Sequence, residues 1–478
     1  MSAPKRRVPE GSCWSCKKRR LKCDLRQPTC SKCEVSSVTC DYSQKPIQWV
    51  GGAAFRGLLK SIGPPPVTEH NSTTHNDPHR PRSACSSPQQ SSIYTAISSP
   101  MMPESLVSYF THAVWPRFQL SGQIISLDED MLVHESALRD AVLAVAQAHH
   151  HLLLKSEESV MAKPGGQTRR QARQVALSRF RTRIERGVES EEEASRLFQI
   201  VCMFCILDGM IYPDDQGNAS EQHLRGGFSM LSSWSSIPLK MLLAGGLQAH
   251  LFSIFATVDL MHSLLDGTKP FFEPTMWFMF AGVQAWWGRL HPGDPFLAVL
   301  KLYSEMAFLG SIVYVRLPGL DGLRLAERCL EPILGSLRTG LPRSTTPDFT
   351  TPEDWNTFCS LYEASAAVYV YRALQNRRVD DETVQRIVRN AVSSIVDRPL
   401  PDMMAHCLIF PLLVIGSHCL YSQDQRAILD LISSSASYLA FGNLIVMMNL
   451  LREIWSQSNM NSNWWDMFRP ISKNVFLF

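Results

Sequence analysis

Hydrophobic residues recur at the spacing of a helix face through most of the chain after about residue 104. Leu138, Val142, Val145 and Leu152 are one such set, separated by three, four or seven residues, and this spacing places them on one side of a helix. Alternating polar and apolar residues, which would predict strands, are scarce. The same helical spacing predicts elements over Gln167–Arg186, Ala194–Leu207, Leu239–Leu265, Met276–Arg289, Asp354–Gln375, Glu382–Val396 and Gln423–Trp455. Residues 104–478 are therefore expected to form an all-α region.

Two serines predict where helices begin. Ser126-Leu-Asp-Glu129 is a capping-box pattern, in which the serine and glutamate side chains satisfy free backbone N–H groups of the first turn. Ser220 is a candidate cap for a helix in which Leu224, Phe228 and Leu231 line one face.

Two segments of different composition precede the helical region. Residues 46–103 contain nine prolines and many serines, with almost no sustained apolar periodicity. Such a stretch buries too little apolar surface to offset the entropy of ordering it, so we predict a disordered linker. Residues 1–45 are short, basic and rich in cysteine. The chain is therefore expected to comprise three parts, residues 1–45, 46–103 and 104–478.

The charge is distributed unevenly along the chain. Of its 478 residues, 45% are hydrophobic and 19% are charged, which excludes wholesale disorder, a collagen and a pure coiled coil. The formal net charge is only +3. Residues 1–45, however, contain 11 Lys or Arg against 4 Asp or Glu, a net charge of +7, whereas residues 104–478 carry a net charge of −6. This asymmetry is expected where one end of a protein meets a polyanion.

The cysteines and apolar runs indicate the cellular environment. The N-terminal residues are polar and basic with no apolar stretch behind them, so we predict no secretory signal. Thiols that are not exported stay reduced, and a cysteine cluster then predicts metal ligands rather than disulfides. The apolar run Ala405–Tyr421 is interrupted by Pro411 and is shorter than the roughly 20 residues of a membrane span, so we predict a core helix and no membrane partner.

Six of the 13 cysteines fall as two copies of one spacing. Each half has the form C-x2-C-x6-C, and the second half repeats the first at an offset of 17 residues. Tetrahedral zinc takes four ligands, so two zinc ions need eight ligand positions, which six thiolates supply if two of them bridge. One bridging cysteine from each half satisfies that count. The predicted metal ligands are Cys13, Cys16, Cys23, Cys30, Cys33 and Cys40.

This spacing, together with the basic run Lys17-Lys18-Arg19-Arg20-Leu21-Lys22 and with Pro28, resembles the binuclear zinc cluster of fungal transcription factors. By that resemblance the cofactor is two zinc ions, and the bridging ligands are Cys13 and Cys30. A domain this small has almost no apolar core, so metal binding supplies its folding free energy, about 10 to 16 kcal/mol per structural zinc in comparable small domains. Six thiolates and two Zn²⁺ ions change the net charge of residues 1–45 by −2. A net charge of about +5 then remains to attract DNA phosphates.

The resemblance also implies how DNA is bound. A short helix at the first C-x2-C pair would enter the major groove and recognise a CGG-type triplet. Arg19 and Arg20 occupy the positions that usually contact bases, and a guanidinium can bond O6 and N7 of guanine together, which is worth about 1 to 3 kcal/mol of discrimination. Each of these basic side chains has the alternative of being merely solvated. The expected phosphate contacts are Lys17, Lys18, Lys22, Arg26 and Lys32.

The helical region has a looser likeness of its own. It is similar to the fungal-specific regulatory domain that often follows such clusters, which implies a regulatory and transactivation role and, in some members, a response to a small-molecule effector. The segments that carry this likeness are Ser108-Tyr-Phe, Leu138-Arg-Asp-Ala-Val-Leu, His223-Leu-Arg-Gly-Gly and Asp259 followed by Ser263-Leu-Leu.

These observations together predict a sequence-specific, zinc-dependent transcription factor of RNA polymerase II promoters. Lys5-Arg6-Arg7 followed by the basic run resembles a bipartite nuclear import signal, so the expected location is the nucleus. The expected partners are double-stranded DNA and the transcription machinery, and the expected targets are a pathway-specific set such as metabolic or secondary-metabolite genes. Homodimerisation is left open, because the linker shows no sustained heptads.

Several motifs in the helical region have both a functional and a structural interpretation. Cys202-Met-Phe-Cys205 has metal-ligand spacing but lies in an apolar helical run, which favours buried free cysteines. His149, His150 and His151 are consecutive and point around a helix, so we predict a helix end rather than an ion site. The tryptophans Trp277, Trp286 and Trp287, with Phe278 and Phe280, could line a ligand pocket but are expected to be core.

An arginine-rich stretch is the other charged motif. Residues 169–186 contain seven arginines, which could form a second nucleic-acid surface. Acidic residues follow at once, so local neutralisation on a solvated face is favoured. The acidic residues are Glu185, Glu189, Glu191, Glu192 and Glu193.

Two other classes of function are weighed against a transcription factor. Asp214-Asp215 or Asp380-Asp381-Glu382 could hold magnesium in an all-α enzyme, but neither is joined by a second metal-binding motif. The sequence also contains no phosphate-binding glycine loop and no G-x-S-x-G turn, so we predict that the protein is not an enzyme. A ligand-gated repressor or sensor that uses the same DNA-binding segment remains an alternative.

Overall fold

The structure, a computed structural model, is mostly α-helical, as the sequence predicts. It describes residues 12–19, 21–40, 102–120, 129–157, 165–213, 219–316, 335, 346–456 and 462–477. All but the last two residues of the predicted linker lie outside these ranges, as do Ser126 of the capping-box pattern and the Asp214-Asp215 pair. The chain divides into two compact units, a cysteine-rich unit within residues 1–48 and a helical unit within residues 49–478.

The cysteine-rich unit is built on two short helices, α1 (Trp14–Arg19) and α2 (Ser31–Val35). Among the side chains that the structure describes in this unit, the buried core is made of sulfur instead of hydrocarbon. The apolar side chains Leu21, Leu25 and Val35 are exposed. The core cysteines are Cys13, Cys16, Cys23, Cys30 and Cys33, with Cys40 half-buried against them.

The helical unit is a succession of α-helices with short π-helical and 3₁₀ turns. Its first helices are α3 (Pro103–Tyr109), α4 (Glu129–His134), α5 (Ser136–Glu157), α6 (Gly165–Glu185), α7 (Glu191–Ile206), α8 (Ala219–Ser233), α9 (Ile237–Ala244) and α10 (Gly246–Asp266). A 3₁₀ turn (Pro274–Phe280) and a two-stranded antiparallel hairpin, β1 (Gln284–Ala285) and β2 (Gly288–Arg289), follow. The later helices are α11 (Pro295–Arg316), α12 (Pro352–Tyr369), α13 (Glu382–Asp397), α14 (Asp402–Ala405), α15 (Ile409–Gly416), α16 (Ser422–Leu439), α17 (Gly442–Ser456) and α18 (Trp464–Ser472).

Helix α10 forms the centre of the core of the helical unit. Every residue from Ala249 to Leu265 is buried, so this helix is enclosed on all sides. It packs against α7, α9, α11 and α18. Three helices, α3, α7 and α12, continue into π-helical turns, which are Phe110–Val114, Leu207–Ile211 and Val370–Leu374.

Two predicted helices are interrupted and a third does not form. The stretch Leu239–Leu265 is broken between α9 and α10 at Gly245 and Gly246, whose φ angles of +67° and +49° are incompatible with a right-handed helix. The stretch Gln423–Trp455 is broken at Ala440, which has a φ of +51°. The helix predicted over Met276–Arg289 is wrong, because those residues form the 3₁₀ turn and the hairpin.

Two predictions about helix ends are also wrong. Ser220 lies inside the first turn of α8, and its hydroxyl donates to the Lys473 carbonyl at 2.9 Å instead of capping the helix. His149, His150 and His151 lie within α5 and not at its end. His149 is buried, with its ring nitrogens 2.8 Å from the Tyr109 hydroxyl and 2.8 Å from the Leu439 carbonyl.

The apolar run Ala405–Tyr421 is buried from His406 to Cys419, but it is not the single core helix that the sequence predicts. Ala405 ends helix α14, and a second helix covers Ile409–Gly416, all eight residues of which are buried. Two other segments of the described chain are long and apolar enough to cross a membrane, Glu191–Ile211 and Pro295–Tyr314. Within the helical unit 94% and 67% of their most apolar windows are buried, which is typical of core helices.

Candidate metal centre

The six predicted ligands of the cysteine-rich unit converge on one small volume. Their sulfurs form two overlapping groups of four, and within each group all sulfurs lie within 4.8 Å of one another. Cys13 and Cys30 belong to both groups. The groups are Cys13, Cys16, Cys23, Cys30 and Cys13, Cys30, Cys33, Cys40.

The sulfur spacing fits tetrahedral zinc. With zinc–sulfur distances of about 2.3 Å, two ligands of one tetrahedral ion lie roughly 3.8 Å apart. The Cys13 sulfur lies 3.7 Å from that of Cys30 and 3.6 Å from that of Cys33, and the sulfurs of Cys16 and Cys30 are 3.5 Å apart. A thiolate donor set at this spacing suits zinc, a borderline-soft ion that accepts sulfur ligands.

The two halves of the sequence repeat fold alike. In each half a helix begins directly after the first cysteine, at Trp14 or at Ser31. In each half a backbone hydrogen bond to the carbonyl of the second cysteine then closes the turn. Its donor lies five residues further on, so Leu21 donates to Cys16 and Val38 donates to Cys33, both at 3.0 Å. The offset of 17 residues therefore appears again in the hydrogen bonds.

Backbone N–H groups donate to the sulfurs. The N–H of Cys16 points at the Cys13 sulfur at 3.4 Å, that of Leu25 at the Cys23 sulfur at 3.4 Å, and that of Cys30 at the Cys40 sulfur at 3.3 Å. Such bonds stabilise the charged form of a thiol more than its neutral form. The local fold is thus suited to hold thiolates.

Burial acts to raise the pKa of each of these thiols, and at Cys30 hydrogen bonds outweigh it. Burial raises the pKa of Cys16 to about 12 and also raises the pKa of Cys13. Burial acts to raise the pKa of Cys30 as well, but hydrogen bonds from the Cys33 backbone and from neighbouring thiols lower it to about 6. A metal bound here must therefore displace protons, as thiolate ligation requires.

Polar side chains hold the loops of the unit around the sulfurs. The Asp24 carboxylate accepts hydrogen bonds from the N–H of Ser31, at 3.2 Å, and from its hydroxyl, at 2.5 Å, at the start of α2. The Ser31 hydroxyl is the main cause that holds the pKa of Asp24 below its usual value. The Ser15 hydroxyl donates to the Thr39 carbonyl at 2.5 Å. These bonds connect the first half of the repeat to the second.

The predicted DNA-contacting residues occupy different environments. Lys22, Arg26 and Lys32 are exposed, and Arg26 forms a surface ion pair with Glu34 at 2.9 Å. Arg19 is half-buried and directed toward the second half of the unit. Lys17 and Lys18 lie on α1, but the structure does not describe their side chains, and Arg20 lies outside the described residues.

The cysteine pair and the tryptophans of the helical unit are core residues, as predicted. Cys202 and Cys205 are completely buried in α7, and burial raises the pKa of both thiols. Trp286 and Trp287 are also buried, and their ring centroids lie 5.2 Å apart in an edge-to-face contact. Phe278 alone among the predicted aromatic set is exposed.

The acidic motif at Asp380-Asp381-Glu382 has a structural role. Asp381 is the N-cap of α13, where its carboxylate accepts the N–H of Thr383 at 2.9 Å. Asp380 forms a bidentate ion pair with Arg378 at 2.8 and 2.9 Å. These contacts use the carboxylates for capping and pairing.

The arginines of α6 find partners across the fold. The predicted neutralisation is correct for Glu193, which pairs with Arg183. It is wrong for Glu191 and Glu192, which pair with Lys240 on α9. Helix α6 is not solely a solvated face, because its arginines also reach carboxylates on other helices.

The structure contains one charged cluster around a buried carboxylate that the sequence does not predict. Arg173 binds the Asp208 carboxylate through two hydrogen bonds of 2.7 Å, and His223 Nε2 lies 2.8 Å from the same carboxylate. Burial acts to raise the pKa of Asp208, but the bonds from His223 and Arg173 outweigh it and hold the pKa below its usual value. The His223-Leu-Arg-Gly-Gly motif was a signal for His223, but nothing local connects it to Asp208 or Arg173.

Comparison with known proteins gives two family matches. The model of the fungal Zn(2)-Cys(6) binuclear cluster domain matches residues 11–48, and that of the fungal specific transcription factor domain matches residues 105–291 and 321–478. The second match alone spans well over half of the chain. No solved structure matches.

Similar curated proteins are transcriptional regulators by name. Pestheic acid cluster transcriptional regulator 3 of Pestalotiopsis fici is 40% identical over 63 residues, 13% of this chain and 11% of the relative. Arginine metabolism regulation protein II of Saccharomyces cerevisiae is 43% identical over 37 residues, 8% of this chain and 4% of the relative. These matches therefore cover only a small part of each relative's length.

The family matches agree with the convergence of the six cysteines, the basic run beside them and the helical unit that follows. This chain therefore belongs to the family of fungal transcription factors, non-enzymatic regulators that join a Zn(2)-Cys(6) binuclear cluster to a fungal specific transcription factor domain, and its cysteine cluster fits zinc binding.

Proposed function

We propose that this protein is a pathway-specific nuclear regulator of RNA polymerase II promoters that recognises CGG-type triplets through a two-zinc cluster. The observation that carries the proposal is the pair of overlapping four-sulfur groups that share Cys13 and Cys30. Residues 1–45 bind DNA, residues 46–103 are a flexible linker, and residues 104–478 regulate transcription through the transcription machinery.

Two zinc ions satisfy the ligand count. Six thiolates give each ion four sulfurs when Cys13 and Cys30 bridge, and these are the two residues that belong to both groups. When bound, zinc supplies the crosslink between the two halves of a unit whose described buried core contains no hydrocarbon side chain. Cys16 and Cys23 complete one ion's ligand set, and Cys33 and Cys40 complete the other.

The basic residues around the cluster supply the DNA contacts. Base recognition comes from the end of the basic run, where the resemblance places Arg19 and Arg20 and where a guanidinium can bond guanine O6 and N7. The remaining basic side chains contact phosphate, and the exposure of three of them, Lys22, Arg26 and Lys32, supports this role. Lys17 and Lys18 are assigned to phosphate from their place in the basic run.

The regulated genes form a dedicated set. The printed name of the Pestalotiopsis fici relative refers to the regulation of a pestheic acid cluster, and that of the Saccharomyces cerevisiae relative to arginine metabolism. Both names describe regulators of one pathway. A regulator of this kind acts in the nucleus, and the basic clusters Lys5-Arg6-Arg7 and Lys17–Arg20 provide an import signal.

The proposal is tested on the purified full chain by zinc analysis and by selection of bound duplexes from a random library. We expect two zinc ions per chain and enrichment of CGG-type triplets. Cys13→Ala should lose zinc and DNA affinity, whereas Cys205→Ala, which removes a buried thiol of the helical unit, should keep both. Arg20→Ala should relax triplet preference, whereas Lys22→Ala should weaken binding to all sequences and reduce the salt slope by about one.

Two results would contradict the proposal. Full zinc content and DNA affinity in Cys13→Ala would exclude the bridged cluster. Selection of duplexes with no common triplet by the zinc-loaded wild-type chain would exclude CGG recognition.

A further inference from the structure

The Arg19 guanidinium connects the two halves of the cysteine-rich unit. Its Nε donates to the Ser15 carbonyl at 3.2 Å, one turn back on α1. Its Nη2 reaches the second half, where it lies 3.4 Å from the Lys32 carbonyl and 3.4 Å from the Cys33 sulfur. One side chain therefore bonds both helices and one sulfur of the predicted metal centre.

These contacts use a property that only arginine has among the basic residues. A guanidinium presents five N–H donors in a fixed planar fork, whereas a lysine ammonium is a single point donor on a flexible stem. The fork lets Nε bond to α1 while Nη2 bonds to α2. The donor at Cys33 also places positive charge beside a sulfur that carries negative charge when it binds metal, and charge-assisted bonds of this kind are about twice as strong as neutral ones.

Base recognition would require Arg19 to give up these bonds. The half-buried side chain has three acceptors within the protein, and each would need another donor if the guanidinium turned toward a base edge. Lys32 differs from Arg19, because its side chain is exposed to solvent and only its backbone carbonyl accepts a hydrogen bond from Arg19.

We propose that Arg19 is a positioning residue that holds the Cys33 half of the cluster against α1, and that base discrimination belongs to Arg20 alone. The inference rests on the proposed function, because it assumes a zinc-loaded cluster that selects DNA. It deepens that function by separating two adjacent arginines into a positioning role and a base-contacting role.

The test uses the full chain as wild type and as Arg19→Ala, Arg19→Lys and Lys32→Ala. The first readout is the rate of zinc transfer to a chromogenic chelator. Arg19→Ala and Arg19→Lys should release zinc about tenfold faster, since a hydrogen bond to a charged group contributes on the order of 1.5 kcal/mol. Lys32→Ala, which removes the same charge without a contact at the cluster, should release zinc at the wild-type rate.

The second readout is the ratio of affinities for a CGG duplex and a scrambled duplex, measured with zinc in excess. Arg19→Ala should weaken binding to both duplexes equally and keep the wild-type ratio. The third readout is the thiolate-to-metal charge-transfer band of the cobalt-substituted protein. This band should shift in both Arg19 variants and stay in place in Lys32→Ala. Because the band reports on the Cys33 sulfur, it can be measured even in a variant that binds DNA poorly.

The outcomes separate the inference from the proposed function. If the wild-type chain holds no zinc or shows no preference between the duplexes, the proposed function fails. If the wild-type chain holds zinc and prefers the CGG duplex, the variants decide the positioning role of Arg19. Zinc release at the wild-type rate in Arg19→Ala or in Arg19→Lys would overturn that role. Loss of the duplex preference in Arg19→Ala would overturn it as well.

Discussion

Single buried polar residues set the local conformation at several points of the helical unit. Asp259 on α10 is completely buried, and its carboxylate accepts the backbone N–H groups of Phe271 at 2.9 Å and Phe272 at 3.4 Å. It therefore fixes the loop that follows α10. Burial raises the pKa of this carboxyl to about 7. The two N–H bonds act to lower the pKa, but their effect is smaller than that of burial.

The raised pKa of Asp259 predicts a pH dependence of stability. Between pH 4 and pH 7 the unfolded chain loses this proton while the folded chain keeps it, so the free energy of unfolding falls as pH rises. Asp259→Asn keeps an acceptor oxygen and has no proton to lose. As pH rises from 4 to 7, the variant should therefore become more stable relative to the wild type. The difference between their free energies of unfolding should increase by up to about 1.4 kcal/mol per pH unit. Denaturant titrations across this pH range measure that difference.

A control for the removed charge is available on the surface of the same unit. Asp430→Asn removes an exposed carboxylate from α16. If Asp259→Asn and Asp430→Asn give the same pH profile, the buried Asp259 carboxyl does not hold its proton as described.

At the scale of elements, the π-helical turn after α7 forms the docking site of the C-terminal segment. The Phe476 N–H donates to the Gly209 carbonyl at 2.8 Å, and the Asn443 side chain donates to the Phe476 carbonyl at 2.8 Å. A Cβ atom added to Gly209 would overlap the Phe476 ring. Glycine is therefore required here by a close approach, and periodicity alone gives no sign of it.

A double-mutant cycle tests this contact. Gly209→Ala should lower the free energy of unfolding by about 1 to 3 kcal/mol through overpacking. Phe476→Ala should cost about 3 to 5 kcal/mol through the lost ring. The double variant should lose less than the sum of the two, because the small side chain at residue 476 leaves room for the new methyl group. Strictly additive losses in chemical denaturation would show that the two residues do not compete for space.

The helices themselves were predicted well where their periodicity is long and uninterrupted. The helix predicted over Glu382–Val396 is observed over Glu382–Asp397, where the apolar face is regular; the cap at Asp381 is seen only in the structure. The break at Ala440 was not predicted, because alanine is a good helix former and only the packing of α16 and α17 imposes its left-handed conformation.

At the scale of the whole molecule, the two units owe their stability to different sources. The described buried core of the cysteine-rich unit is sulfur, whereas the helical unit has a large hydrocarbon and aromatic core around α10. Metal binding therefore contributes folding free energy to the first unit, whereas burial of apolar side chains stabilises the described part of the second unit.

Removal of zinc should separate the two units functionally. A chelator should abolish duplex binding by the full chain but leave the far-ultraviolet helical signal and the main thermal transition unchanged, because that transition belongs to the helical unit. Zinc added back should restore binding. Loss of most of the helical signal on chelation would contradict independent stabilisation of the units.

By itself, the sequence determined the cysteine spacing of the candidate metal centre, the basic run beside it and the all-α character of the rest, because ligand spacing, charge and helical periodicity are all local properties of the chain. Only the tertiary structure decided which groups meet across long separations. Arg173 and His223 share Asp208, Phe476 covers Gly209, and Arg19 turns toward Cys33. Each of these contacts depends on how complete helices pack, and no pattern within one helix specifies its partner.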